Sequence, residues 1–285
     1  MLQRKYFFVL LCFLLSIFCH AQEDVFQTFK DTRVINSHTV ETVMHRKLDF
    51  RIGHRFGEIK SGWSSLYGLE RATDVLFSFE YGVSDDLTIG ISRTKGAGRL
   101  TALLNGVLKY KILKQKTDGS MPISMTLLAV PTISTMEKSE LPSALNFFEK
   151  TSHRMAYTAQ VLVARKFGER LSLQVMPSYT HRNIVPSDDT NGIFSVGAAA
   201  RIQLNKVFGI IADITVPVTG DRPSAENFYA PLGIGLEIET GGHVFQVNFT
   251  NAEGIVENDY IPYTQSNWGD GEFRFGFTIS RLFNL

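Results

Sequence analysis

The stretch LGIGLEIETGGHVFQVNFT, residues 232–250, contains two runs with a period of two, joined by a pair of glycines. In the first run, leucine and isoleucine alternate with glycine and glutamate. In the second run, phenylalanine and valine alternate with glutamine, asparagine and threonine. Successive side chains of a strand point to opposite faces, and Gly241-Gly242 suits a tight turn. The stretch therefore predicts an antiparallel hairpin with one apolar and one polar face.

The same alternation recurs along most of the chain after Lys47 and predicts about twelve strands. Most of them approach the ~9–11 residues that a tilted strand needs to cross a bilayer. The only predicted helical feature is a turn within residues 142–150. The apolar set, which includes Phe77, Phe79, Phe208, Ile210, Ile234 and Leu236, is expected to face lipid. The predicted strands are 47–57, 73–82, 87–93, 100–113, 121–133, 153–166, 171–181, 192–204, 207–216, 229–240, 243–251 and 272–283.

Connection lengths alternate between these strands. Short turns fall at 83–86, 114–120, 167–170, 205–206 and 241–242, and longer loops lie between them, with 94–99 as the exception. Outer-membrane barrels have short periplasmic turns and longer extracellular loops, whereas a soluble β-barrel or sandwich has no reason to sort its loops in this way. The fold class predicted is therefore all-β, a transmembrane antiparallel β-barrel of about twelve strands.

The N-terminus has the layout of a secretory signal. Positive residues 4–5 precede an apolar run, Tyr6–Phe18, and small Ala21 precedes Gln22. This predicts a signal peptide over 1–21. The apolar run is too short for a spanning anchor, and lipoprotein processing at Cys19 is disfavoured because the residues before it are bulky.

Two further regions follow from this division. Residues 22–46 are polar without a helical pattern, and lie either in the periplasm or inside the lumen as a plug; the barrel occupies 47–285. Both cysteines fall in the predicted signal, so the mature chain has no disulfide. The alternating last strand, ending at Leu285, is typical of barrels read by the barrel assembly machinery, although the usual terminal Phe is missing.

The charge balance and the positions of the histidines argue against several functions. Lys plus Arg (29) nearly balances Asp plus Glu (28), so no nucleic-acid partner is expected. None of the mature histidines lies two residues before a serine on one strand face, and none pairs with another at ligand spacing. We therefore expect no catalytic residues, no metal and no cofactor.

Two parts of the sequence resemble a known family. They are TRVINSHTVET with LDFRIGHRFG, residues 32–42 and 48–57, and FEYGVSDDLTIG with KYKIL, residues 79–90 and 109–113. The sequence resembles an uncharacterised outer-membrane β-barrel family of Bacteroidetes-type bacteria, and the similarity runs over most of the mature chain. The resemblance implies an outer-membrane barrel and brings no catalytic residues with it.

Strand parity identifies charged residues that should face the lumen. Their two signs are nearly balanced, which favours a network of ion pairs across the bore, although a cation-attracting filter formed by the carboxylates stays open. The polar face of the strands supplies these lumen-facing candidates: Arg51, Glu80, Lys109, Arg201, Asp213, Glu237, Glu239 and Arg274.

Two functions remain open at this stage. The first is a non-enzymatic, porin-like barrel in the outer membrane that passes or binds a small solute. The alternative is a structural or interaction barrel with a closed bore, whose extracellular loops 134–152 and 252–271 bind a partner. In either case outer-membrane lipid and the assembly machinery are the expected partners.

Overall fold

The computed structural model describes residues 23–220, 222 and 227–285. The predicted signal peptide lies outside these residues. Twelve antiparallel strands form a closed barrel in which each strand pairs with its neighbours along the chain, and the last strand pairs with the first. The predicted fold class is confirmed. Because the barrel is closed, each strand has a hydrogen-bonded neighbour on both sides. A sheet needs this in order to cross a membrane, where no water is available to bind its backbone groups.

Strand positions follow the sequence prediction to within a few residues, the largest differences being at the starts of the fourth, fifth and tenth strands. The alternating apolar residues dictate these elements, and the loops begin where alternation stops. The strands are β1 Lys47–Glu58, β2 Ala72–Gly82, β3 Leu87–Thr94, β4 Leu103–Leu113, β5 Ser124–Ser134, β6 Met155–Phe167, β7 Leu171–Arg182, β8 Gly192–Gln203, β9 Phe208–Pro217, β10 Leu232–Thr240, β11 His243–Thr250 and β12 Arg274–Asn284.

Within residues 23–220, 222 and 227–285, helical structure is confined to the loops between strands. The predicted turn within 142–150 corresponds to the 3₁₀ turn Leu145–Phe147, and a second 3₁₀ turn, Thr151–Arg154, follows outside the predicted range. The sequence prediction missed one α-helix, α1, at Glu257–Tyr263. This helix is seven residues long, contains Pro262 and has no apolar stripe, so only its packing inside the barrel explains why it forms. Among the described residues, no helix has the length and hydropathy required to cross a membrane.

At one end of the barrel, the turn end, four of the five connections have two to four residues and the fifth, 114–123, has ten. The six connections at the other end, the loop end, have eight to twenty-three residues. The N-terminal segment before β1 and the C-terminus are both at the turn end, where Leu285 N–H donates to the carbonyl of Arg46. In outer-membrane barrels the end with short turns is periplasmic.

Apolar side chains face outward and polar side chains face inward. Phe77 and Phe79 of β2 are each 46% exposed, whereas the polar residues that alternate with them, Ser78 and Glu80, are buried. All six residues predicted to face lipid lie on this outer face. Five of them are exposed, and Leu236 is half-buried. Such a band exposed to water would be costly, while exposed to lipid it is matched to its surroundings.

Val196, in the middle of β8, tests this assignment because it is 49% exposed on the outer face. Replacing Val196 with Arg should destabilise the barrel by about 2–4 kcal/mol, because the charge cannot be hydrated at the bilayer midplane. Denaturant titration in phospholipid vesicles measures this change. The matched control is Val207→Arg in the β8–β9 turn, where the cost should be about 0–1 kcal/mol. Equal effects at the two positions would show that the outer face is not in hydrocarbon.

Candidate functional site

The interior of the barrel contains the charged residues that strand parity selected. Seven of the eight predicted lumen residues are at most 8% exposed, and Glu239 is half-buried near the turn end. Their surroundings differ, however, because two chain segments fill the bore from opposite ends. We call these the N-terminal plug, residues 27–43, and the loop plug, residues 251–266.

The N-terminal plug enters from the turn end, reverses direction and returns to the same end. Its reversal lies at residues 34–37, where Val34 N–H donates to the carbonyl of Ser37. Arg33 and His38 form an isolated antiparallel bridge on either side of this turn. Residues 31–40 are all buried. The N-terminal plug therefore lies inside the lumen, one of the two positions that the sequence left open for this segment, whereas residues 23, 24, 26 and 44–46 are exposed.

Side chains of the barrel wall bind the backbone of the N-terminal plug. Asp213 accepts hydrogen bonds from the N–H groups of Asn36 (2.7 Å) and Ser37 (2.8 Å). Gln174 donates to the carbonyl of His38 and accepts from the N–H of Val40, both at 2.8 Å. These contacts satisfy peptide groups that would otherwise be buried without partners.

A bidentate ion pair anchors the side chains of the plug. Arg51 of β1 donates from Nη1 and Nη2 to the two carboxylate oxygens of Asp31, at 2.8 and 2.5 Å. Arg51 also donates to Asp49 on its own strand at 2.9 Å. Since Arg51 and Asp31 are both almost fully buried, removing Arg51 would leave Asp31 and Asp49 in the lumen without their shared counter-charge.

The loop plug enters from the opposite end and places α1 against β5, β6, β7 and β9. Asn258 of α1 donates to the carbonyl of Val130 and to Thr132, and accepts from Thr158, each at 2.7 Å. Ile261 lies with Tyr260, Ala252 and Ile193 in a buried apolar cluster. Residues 252–264 of the loop after β11 thus lie mostly inside the barrel, whereas 267–271 are partly exposed. Partner binding by this loop stays a prediction.

Acidic side chains fasten the loop plug to the wall and to the β3–β4 loop. Asp74 of β2 accepts from the N–H groups of Gly96 and Ile255, both at 2.9 Å. Asp259 of α1 accepts from the N–H of Ala97 at 2.8 Å. Burial, and then the Asp74 carboxylate, raise the pKa of Asp259 to about 7.

The two plugs meet inside the barrel. Arg33 of the N-terminal plug donates to the carbonyl of Ile255 at 2.9 Å and forms an ion pair with Glu257 at 3.3 Å. Arg55 of β1 contacts both plugs, through Asn36 Oδ1 at 2.5 Å and the carbonyl of Gly254 at 2.6 Å. A continuous set of contacts therefore links the turn end to the loop end.

Four of the predicted lumen residues bind different partners in the structure. They are Asp213, Glu237, Glu239 and Arg201. Arg201 Nε donates to Glu237 Oε1 at 2.7 Å. Asp213 instead binds backbone of the N-terminal plug, and Glu239 pairs with Lys30 of that plug at 2.6 Å. Only Glu237 therefore makes the pair with Arg201 that strand parity suggested.

Two further predicted lumen residues, Lys109 and Arg274, also contact the plugs. Lys109 donates to the carbonyl of Thr32 at 3.3 Å and to that of Glu41. Arg274 donates to the carbonyl of Asn251 and to Glu58, both at 2.9 Å. Glu80 is buried and lies opposite Asp49 in the β1–β2 register.

Sequence reasoning missed several interior residues. Asp74 shares the parity of Leu76 and Glu80, so alternation could have placed it inside. Asp31, Arg33 and Glu257 gave no such signal, because they lie in segments without strand periodicity. Their burial depends on where the two plugs fold.

His38 is the fully buried histidine of the N-terminal plug. Its Nε2 lies 3.1 Å from Arg33 Nη1. Burial, and then the positive charge of Arg33, lower the pKa of His38 well below its usual value. A neutral ring can accept the hydrogen bond from Arg33, so His38 supports that side chain at the plug turn. In the part of the chain that is described, no group of three or more His, Cys, Asp or Glu side chains is arranged to hold a metal ion.

A test of the Arg201–Glu237 pair uses Glu237→Gln. The substitution should leave Arg201 buried without its counter-charge and cost about 3–5 kcal/mol. The temperature at which the folded, fast-migrating gel band disappears reports this loss. Glu239→Gln is the matched control, because its pair with Lys30 is partly exposed and should contribute only about 0–1 kcal/mol. An unchanged transition in Glu237→Gln would rule out the pair as a stabilising contact.

The raised pKa of Asp259 predicts pH-dependent docking of the loop plug. The docked carboxyl has a pKa of about 7 against an ordinary value of 3.8, so the docked state holds its proton more tightly. Docking is therefore strongest at low pH and weakens as the pH rises from about 4 to about 7. Hydrogen exchange at residues 253–263, corrected for intrinsic rates, should show less protection at pH 8 than at pH 5.

Two variants control this measurement. Asp259→Asn should reduce the pH dependence, because position 259 no longer titrates; Glu257, whose pKa is also raised by burial, still does. Glu253→Gln should retain it, because Glu253 affects the pKa of Asp259 less than burial and Asp74 do. Equal protection of the native protein at both pH values would contradict the assignment.

Comparison with known proteins identifies a family whose model matches most of this chain. The model of the family described as membrane bound beta barrel domain (DUF5777) matches residues 29–283. No curated protein matches the chain. The matched range includes the N-terminal plug from Phe29 onward as well as all twelve strands. The barrel part of the sequence resemblance is thereby confirmed, while the bacterial group stays a prediction.

Solved structures with a related shape include several barrels. The NanC porin is 10% identical, with 84% of this chain and 100% of that chain covered and a TM-score of 0.49. An outer membrane channel from Pseudomonas putida F1 is 13% identical, with 86% and 98% covered and a TM-score of 0.49. The TodX monoaromatic hydrocarbon channel is 10% identical, with 84% and 89% covered and a TM-score of 0.38.

Proposed function

The chain belongs to the family of membrane-bound β-barrel domains (DUF5777), and on that premise we propose that it is a non-enzymatic outer-membrane barrel that passes a small polar solute. At rest its bore is closed by the N-terminal plug and the loop plug. Passage requires at least the N-terminal plug to move. The alternation of short turns and long loops supports the outer membrane, with the N-terminal plug entering from the periplasm.

The observation that carries the proposal is what fills the bore. About eight strands leave a barrel interior that side chains alone can fill, whereas 16–18 leave an aqueous channel. The twelve-stranded wall here encloses enough space for two chain segments. Neither segment belongs to the barrel sheet, so each can leave without breaking strand pairing. A wide bore closed by removable segments suits a passage better than a permanently solid support.

The polar wall supports passage of a polar solute. The inner face carries both signs of charge, such as Arg51 and Glu237, together with amides and hydroxyls, and the plugs bind most of these groups by hydrogen bonds. Once the N-terminal plug has moved, the same groups can solvate a polar molecule in transit. Since the signs are mixed, we expect little preference for cations over anions.

A closed interaction barrel is the second candidate function. Its support is the occupied bore together with the loop after β1, where Trp63 and Tyr67 are 75% and 51% exposed. An exposed aromatic pair at the loop end could contact a protein or the lipid interface. The two candidate functions differ in whether removing the plug opens a conducting path.

Planar-bilayer conductance separates these candidates. Three proteins are compared: the native protein, a variant with residues 28–43 replaced by a short Gly-Ser linker, and a variant that also lacks 253–263. We expect rare openings in the native protein and steady current once the N-terminal plug, or both plugs, are removed. The matched control replaces residues 137–144, which are mostly exposed loop, with Gly-Ser.

The control should conduct like the native protein. Heat-modifiable gel migration establishes that each variant is folded before it is measured. A folded barrel without either plug that carries no current would overturn the transport proposal and favour the closed interaction barrel.

A further inference from the structure

The N-terminal plug is held mainly by its peptide groups. In addition to Asp213 and Gln174, Thr88 accepts from the N–H of Val43 at 2.8 Å. Thr126 donates to the carbonyl of Val40 at 2.7 Å, and Gln246 donates to that of Arg33 at 2.8 Å. Further carbonyls of the plug accept from Ser172, Lys166 and Lys109. These partners lie on β3, β4, β5, β6, β7, β9 and β11, so the wall surrounds the plug with groups that recognise a backbone.

Gln174 shows most clearly how a side chain of the wall binds the backbone of the plug. Its side-chain amide donates to the carbonyl of one residue, His38, and accepts from the N–H of the residue two positions later, Val40. A neighbouring β-strand offers an extended chain the same donor and acceptor at this spacing. Gln174 is itself 2% exposed, so the amide is built into the wall. Such contacts depend on the backbone and not on a particular side chain.

The wall also provides room for apolar side chains of a peptide. Phe29, Val34, Ile35 and Val40 of the plug form one buried cluster with residues of the wall. On the wall side, Leu128, Leu162 and Met176 point into a lumen that is otherwise polar. A barrel built only for ions or sugars would have no use for these inward apolar positions. The wall partners of the plug in this cluster are Val107, Leu128, Val130, Leu162, Ala164, Met176, Ala199 and Ile211.

We propose that the solute of this barrel is a short peptide, and that the N-terminal plug occupies the peptide-binding surface of the lumen. The inference rests on the proposed passage function and gives it a substrate class. When the plug withdraws, Asp213, Gln174, Lys109 and their neighbours lose their backbone partners together. Another peptide restores the same hydrogen bonds, whereas a sugar or an inorganic ion restores only part of them and leaves the apolar positions uncovered.

The test uses the folded variant that lacks residues 28–43. The probe is the synthetic peptide TFKDTRVINSHTVETV, which has the sequence of residues 28–43, added on the turn side of the bilayer. We expect the peptide to interrupt the current. A second peptide with N-methyl groups at the positions of Asn36, Ser37, Val40 and Val43 cannot donate to Asp213, Gln174 and Thr88. Its interruptions should be at least tenfold shorter, and a malto-oligosaccharide of similar mass should produce none.

Variants of the wall locate the binding surface. Gln174→Leu should shorten the interruptions by the unmodified peptide about tenfold. Ser195→Ala is the matched control, because Ser195 is a buried lumen hydroxyl that bonds Ser178 and makes no contact with the plug. Equal interruptions by the peptide, its N-methylated form and the oligosaccharide would overturn the peptide proposal while leaving passage intact.

Binding in detergent, followed by fluorescence anisotropy of a labelled peptide, separates the two proposals further. Peptide binding without current in any variant would leave the peptide site standing and remove the passage function. If the deletion variant does not fold, the full chain with Asp31→Asn and Glu41→Gln serves instead, because these changes weaken the plug and leave the wall amides and hydroxyls in place. Peptide binding that is no tighter to this variant than to the native protein would overturn the proposal.

Discussion

Every buried peptide group of the N-terminal plug needs a hydrogen-bond partner on the barrel wall, and this requirement organises the lumen. The plug has only a short internal ladder, formed around its turn at residues 34–37. Its remaining N–H and C=O groups are buried, and a buried amide without a partner costs several kcal/mol. The wall meets this requirement with side chains, among them Gln174, Asp213 and Gln246. The polar face of the strands is therefore a binding surface as well as a lumen lining.

Buried charge adds a second constraint that couples the two plugs. Arg33 of the N-terminal plug pairs with Glu257 of the loop plug, and Arg55 of the wall contacts both. Withdrawing one plug leaves charged groups of the other without partners, which is strongly unfavourable in a dry interior. Movement of the N-terminal plug at the turn end is thus energetically linked to the loop plug at the loop end. Such a link lets the barrel stay closed until both ends favour opening.

Both constraints concern contacts between the barrel wall and the plugs, and the proposed function depends on these contacts. A twelve-stranded barrel encloses more space than its own side chains fill, and here that space holds chain that is tethered only at the ends of the bore. The hydrogen bonds that seal the bore are the same ones that can receive a solute after the plug has left. Sealing and recognition therefore use one set of residues, and a peptide is the solute that most resembles the seal.

The sequence by itself determined the barrel. Alternation such as that of residues 232–250 specifies which side chains face lipid, and the alternating loop lengths specify which end is which, because both depend only on local periodicity. The same parity placed Arg201 and Glu237 inside, and could have placed Asp74 there. Tertiary structure alone decided what fills the bore. Residues 27–43 and α1 have no strand or helix periodicity, and their positions depend on hydrogen bonds and ion pairs with distant residues, such as Asn36 with Asp213 and Arg33 with Glu257. Pairings of that kind leave no pattern in a single sequence, since each partner reads locally as an ordinary polar residue.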